Sequence, residues 1–159
     1  MKKVLLAIVL IFLSVTAHAF AATISIPDTN ADAGAEVVIP INVDNAKGIA
    51  GFEFTITYDA SALQAKGAVA GDLTPGWMIT PNTTDSGKIK VAGLDTSLTG
   101  LSGVSGTLVK LQFKVLGKQG KKSSLEFTVC KLSDSKGIKI ISTCRQGEIK
   151  VSGKAKPKQ

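Results

Sequence analysis

From Gly48 to Asp59 the chain reads GIAGFEFTITYD, and polarity alternates along it: Phe52, Phe54, Ile56 and Tyr58 fall on one side of an extended strand, Glu53, Thr55 and Thr57 on the other. A period of two belongs to a sheet with one face in a core and one in water. The pattern recurs. Val37, Ile39, Ile41 and Val43 alternate with Val38, Pro40, Asn42 and Asp44; Ile89 and Val91 with Lys88, Lys90 and Ala92; Val109, Leu111, Phe113 and Val115 with Lys110, Gln112 and Lys114. Leu125, Phe127 and Val129 form a further strand, Ile138 to Thr143 returns after the turn Ser133 to Gly137, and Ile149 and Val151 close the series. Clusters of Gly, Asn, Asp and Ser separate these runs, and the one helical cue is a single turn at Ser61 to Leu63. Pro40 cannot donate to a ladder, so its strand is expected at an edge or with a bulge. One-sided strands at recurrent spacing predict an all-β chain of two packed sheets.

The two ends depart from this pattern. Lys2 and Lys3, ten apolar residues from Val4 to Leu13, and Ala17-His18-Ala19 make an export signal over residues 1–19. The apolar run is too short for a bilayer core that needs about 20 residues, so membrane contact is expected only through the signal before cleavage. Cleavage after Ala19, or after Ala21, leaves about 140 residues, the size of one domain. That domain is expected over 22–153, followed by a basic flexible tail, 154–159. The expected location is outside the cytoplasm: periplasm, cell surface or medium.

Charge then narrows the partners. The formal +7 falls to +5 without Lys2 and Lys3, and Lys154, Lys156 and Lys158 carry three of the remainder. Nucleic acid needs a basic stripe with stacking aromatics, which Arg145 and scattered lysines do not supply. Phe20 to Asp95 holds nine acids against four lysines, and Thr96 to Gln159 thirteen bases against three acids. Such asymmetry steers a charged partner unless strands from the two halves interleave and average it out. Cys130 and Cys144 are the only cysteines. In an exported chain an even pair reads as a disulfide, the alternative being two unpaired thiols on neighbouring strands.

The missing chemistry is equally informative. His18 is the only histidine and leaves with the signal. That removes His-based acid–base catalysis, Ser-His-Asp triads and the common zinc ligands. A carboxylate pair flanking a cleft is the remaining enzymatic route. Glu53, Asp59, Asp72, Asp85 and Asp95 qualify by composition, but no spacing selects a pair. The run Asp28 to Gly34 places oxygens at alternate positions, as a calcium loop does. Its glycine comes one place late and Ile39 stands where the bidentate Glu belongs, so a plain turn is expected. Neither enzyme activity, metal nor cofactor is expected. For sugar binding, Trp77 is the one aromatic platform not turned inward by parity, and it serves equally to cover a sandwich end. Asn82-Thr83-Thr84 matches a glycosylation acceptor and marks an exposed loop.

With its strands in order, the chain resembles the cohesin family, receptor modules that hold dockerin-bearing proteins in cellulosomes and related extracellular systems. The matching elements are EVVIPINVDN from Glu36, GIAGFEFTITYD from Gly48, GKIKVAGLD from Gly87, SGTLVKLQFKVLG from Ser105 and SDSKGIKIISTCRQGEIKV from Ser133. The resemblance implies a jelly-roll β-sandwich of about nine strands, similar to carbohydrate-binding modules, with one flat sheet face that receives dockerin helices. Carried over position by position, the partner-binding residues are Glu53, Thr55 and Thr57, then Lys88, Lys90 and Asp95, then Lys110 and Gln112. The chain departs from cellulosomal scaffolds in having one domain, no repeat and two cysteines outside the family pattern. A stand-alone cohesin-like domain fits better, and its partner need not be a dockerin.

Three functions follow as expectations. The first is a secreted, non-catalytic module that captures a dockerin or dockerin-like protein, in the setting of extracellular polysaccharide degradation. The second is a carbohydrate-binding sandwich that meets polysaccharide through Trp77. The third is an envelope or adhesion subunit held together by Cys130 and Cys144.

Overall fold

The computed structural model describes residues 21–153, so the expected signal and basic tail lie outside the described residues. Among the described residues there are twelve strands: β1 (Ala22–Ser25), β2 (Thr29–Asp32), β3 (Glu36–Val43), β4 (Gly51–Thr57), β5 (Leu63–Ala70), β6 (Met78–Asn82), β7 (Lys88–Leu94), β8 (Gly106–Val115), β9 (Lys122–Ser133), β10 (Lys139–Ile140), β11 (Ser142–Arg145) and β12 (Gly147–Ser152). One sheet runs β11-β1-β3-β8-β5, the other β2-β12-β9-β4-β7-β6, with β10 added to β9. The result is an all-β jelly-roll sandwich. The excess over nine strands consists of short pieces: β2 and β6, and the division of the Ile138 to Thr143 stretch between β10 and β11.

Two segments pass from one sheet to the other and close the sandwich. Between β1 and β2 the chain crosses at Pro27, which cannot extend a ladder. Before it, the Ile26 amide donates to the Arg145 carbonyl; after it, Asp28 accepts the Glu148 amide at 2.8 Å. The run read as a turn is therefore partly a strand, β2, running parallel to β12, with Asp32 accepting the Ser152 hydroxyl at 2.6 Å. The second crossing separates β10 on β9 from β11 on β1. Pro40 sits in a strand that is interior by order, yet only Asn42 and Val43 of β3 pair with β1. At Pro40 that side of β3 is an open edge, and a bulge follows between Ile41 and Asn42.

The inward rows meet as one core. Ile39, Ile41, Leu111 and Phe113 from one sheet and Phe54, Ile56, Ile89 and Val91 from the other are buried. Phe52 and Phe54 stack at 4.8 Å, and Phe127 meets Phe54 edge-on at 5.6 Å. Gly93 lies directly opposite Phe52 on β7, and any side chain there would enter the Phe52 ring. Truncating a core aromatic such as Phe54 costs about 3–5 kcal/mol in comparable cores.

Cys130 on β9 and Cys144 on β11 are bonded across the edge between the two sheets, with Cα atoms 6.6 Å apart. The partners are fourteen residues apart in sequence, and closing a loop of that size stabilises by about 3 kcal/mol in the chain-entropy account. The double variant Cys130→Ser/Cys144→Ser should therefore lose about 3 kcal/mol in urea denaturation. An unchanged unfolding midpoint would show that the sheets hold together without the bridge.

Candidate protein-binding face

The outward residues of β9, β4, β7 and β6 form rows fixed by strand register. Ser133, Gly51, Leu94 and Met78 make the first row, Lys131, Glu53, Ala92 and Thr80 the second. Val129, Thr55, Lys90 and Asn82 make the third, and Glu126, Thr57 and Lys88 the fourth. Strand spacing of about 4.8 Å and a rise of about 3.4 Å per residue give a plane of roughly 14 by 20 Å. A helix about 10–12 Å in diameter fits on it. The plane is low toward its first two rows because Gly51 and Ala92 carry little or no side chain. There the surface dips into a hollow of about 470 Å³ lined by Gly51, Ala92, Leu94, Lys131, Ser133 and Lys139.

Charges at the surface are cross-linked in the plane. Lys131 on β9 donates to Glu53 on β4 at 3.3 Å, and Lys90 lies 3.7 Å from Asp85. Both pairs are more than half exposed, so each contributes little to stability and remains available to a partner.

The expected site residues divide. Glu53, Thr57, Lys88 and Lys90 share this face. Thr55 is on it by register but is only 7% exposed, enclosed by its cross-strand partners Lys90 and Val129. Lys110 and Gln112 are not on it. They belong to β8, which pairs with β3 and β5 in the opposite sheet, and Lys110 is held by Asp72 at 2.6 Å. Asp95 is buried and turned into the loop after β7. Trp77 is half-buried: its indole lies against Phe52, centroids 6.1 Å apart at 20°, and extends the aromatic row to the sandwich end.

Sequence reasoning missed the rest of the face. Lys131, Val129 and Glu126 come from β9, whose outward parity is shifted by a bulge opposite the Thr55/Ile56 step. Met78, Thr80 and Asn82 come from β6, a short strand containing Pro81 that is not among the alternating runs above. Pro81 is tolerated because β6 is the edge of its sheet. The alternation Met78, Thr80, Asn82 was the available signal.

The cohesin domain model matches residues 22–151. The chain belongs to the cohesin family. The sixth cohesin of scaffoldin B from Acetivibrio cellulolyticus, solved in complex with a mutant Cel5 dockerin, is 25% identical; the match has a TM-score of 0.73 and covers 83% of this chain and 99% of that one. The seventh ScaB type I cohesin from Pseudobacteroides cellulosolvens is 26% identical, with a TM-score of 0.73 and coverage of 87% and 97%. A non-cellulosomal cohesin from the archaeon Archaeoglobus fulgidus shares the fold at 20% identity, with a TM-score of 0.71 and coverage of 82% and 91%. No curated protein sequence matches the chain.

In this cohesin Asp95 organises the loop at the end of the face. Its Oδ1 accepts the Ser97 hydroxyl at 2.6 Å and the Ser97 amide at 2.9 Å, and its Oδ2 accepts the amides of Thr99 and Gly100 at 3.1 and 2.9 Å. Its own amide donates to Ala50, tying the loop to the start of β4. The Ser97 hydroxyl bond, then the Gly100 and Ser97 amides and the Thr99 hydroxyl, outweigh burial and lower its pKa to about 2. A carboxyl held below its unfolded value of about 3.9 stabilises the fold above that pH, and the contribution fades as pH falls through about 2. Asp95→Asn should thus melt lower than wild type at pH 7, with the gap narrowing from about pH 4 toward pH 2. A gap independent of pH would show that the charge plays no part.

Proposed function

We propose that this cohesin is a secreted, non-catalytic receptor module that binds a dockerin-bearing protein on the outer face of β9-β4-β7-β6, and that it serves extracellular polysaccharide breakdown. The observation that carries the reading is the face itself: a broad, solvent-open plane with a hollow over small residues in its first two rows and mixed charge around them. Shape complementarity over such a hollow concentrates affinity in a few contacts, with a polar rim setting orientation. Glu53, Thr57, Lys88 and Lys90 act here together with Ala92, Leu94 and Lys131. The non-catalytic reading draws on composition, because the chain beyond His18 has no histidine. On the face, Glu53 is bound to Lys131 and has no second carboxylate in its row.

Standard interfaces bury about 800 Å² per partner, more than a plane of roughly 14 by 20 Å supplies alone. The partner must therefore also reach the Ser133–Lys139 turn beside the first row.

The test is calorimetric titration with the dockerin domains encoded in the same genome. Ala92→Arg puts a long cation in the hollow and should cost at least about 2 kcal/mol, roughly 30-fold in Kd. Gln112→Arg, on the other sheet, should bind as wild type does. Full affinity in Ala92→Arg, or loss confined to Gln112→Arg, would contradict this placement.

A further inference from the structure

The hollow in the first row has a character of its own. Its floor is formed by Gly51, with the Ser133 hydroxyl over it, and by Ala92, which has only a methyl; beside it stands Leu94, 47% exposed. Met78, opposite Leu94 on β6, is 59% exposed, and Ile138, preceding Lys139, is 61% exposed. Three large apolar side chains thus stand in water around one end of an otherwise polar plane. This is the kind of spot that marks a contact surface.

The charge beside it is unbalanced in a particular way. Lys131, Lys136 and Lys139 come from β9, the following turn and β10, against the acids Glu53 and Asp134. Both acids already have donors. Glu53 accepts from Lys131, while Asp134 accepts the backbone amides of Lys136 and Ile138 at 2.9 and 2.8 Å. Among the described residues, neither Lys136 nor Lys139 pairs with a carboxylate. Lys139 lines the same hollow as Leu94. An apolar seat and an ammonium without a carboxylate partner therefore border one cavity.

We infer that this hollow is the specificity pocket of the face: it takes an apolar side chain from a partner helix and, one helical turn away, an acidic residue that pairs with Lys139 and Lys136. Residues three or four apart lie about 5–6 Å from each other on one helix face, so a single helix presents both groups. The inference rests on the docking face proposed above and names what that face selects. Charge of this kind sets specificity and encounter rate more than raw affinity. The lysines therefore choose among partners that all fill the apolar seat.

The test pans a phage-displayed library, built on a dockerin-type helix pair with its exposed helix positions randomised, against immobilised full-length chain. Targets are wild type, Lys136→Glu/Lys139→Glu, Leu94→Asp and Ala92→Arg, each first shown by thermal melting to be folded. Wild type should enrich an apolar residue with Asp or Glu three or four positions away. The charge-reversed target should keep the apolar residue and enrich Lys or Arg at the second position. Acidic clones should bind it about tenfold more weakly than wild type, and Leu94→Asp should lose the apolar preference. Acidic clones that bind wild type and the charge-reversed target equally would overturn the pocket while leaving the docking face standing. Clones that bind Ala92→Arg as well as wild type would overturn the docking face, and with it the pocket.

Discussion

Everything on the candidate binding face depends on how Phe52 and Phe54 are seated beneath it. β4 is the middle of its sheet, and its inward side stacks these rings on each other, against Phe127 on one flank and Trp77 on the other. Phe52 occupies the space where a side chain at position 93 would stand, so glycine is required there. Because side chains alternate along a strand, fixing these rings inward also fixes Glu53, Thr55 and Thr57 outward. A slip of one residue would exchange the two sets. The core thus dictates which chemistry the surface shows, and the unbroken pairing of β4 with β7 keeps that side of the surface regular.

The two sheet crossings and the cysteine bridge hold that arrangement closed. β1 and β2, and again β10 and β11, carry the chain from one sheet to the other, while Cys130 and Cys144 join β9 to β11 at the same edge. β9 is the strand through which these constraints reach the face: it carries the bridge, pairs with β10 and β12, and supplies Lys131, which holds Glu53. A β-sandwich of this size, without helices among its described residues, gains its rigidity from such long-range ties. The Asp95 loop plays the matching part at the end of β7 by collecting amides that would otherwise be unpaired.

Much of the fold was legible from alternation alone, because burial on one side of a strand leaves a period of two in the sequence. The inward rows of β3, β4, β7 and β8 follow it residue by residue. Sheet membership was not legible. β7 and β8 carry the same one-sided pattern with lysines outward, yet they lie in different sheets, since pairing partners are set by contacts distant in sequence. Lys110 and Gln112 were misplaced for that reason. Asp95 was placed on the face by resemblance alone, although parity from Lys88 and Lys90 turns it inward, and a side-chain cap begins where β7 ends. The β9 residues were hidden by a bulge, and β6 by a proline that only an edge strand tolerates. Family likeness supplied the use of the face; residue chemistry then refined which side chains form it.

On the proposed reading, one face of one sheet, not the sandwich as a whole, meets the partner. Amide hydrogen exchange of the chain, free and saturated with a bound dockerin, tests it most directly. Added protection is expected along β4, β7 and β9 around Glu53, Lys90, Ala92 and Lys131 and in the Ser133–Lys139 turn, with β8 unchanged at Lys110 and Gln112. Protection that appears on β8 and β3 while β4 and β7 exchange as in the free chain would contradict it.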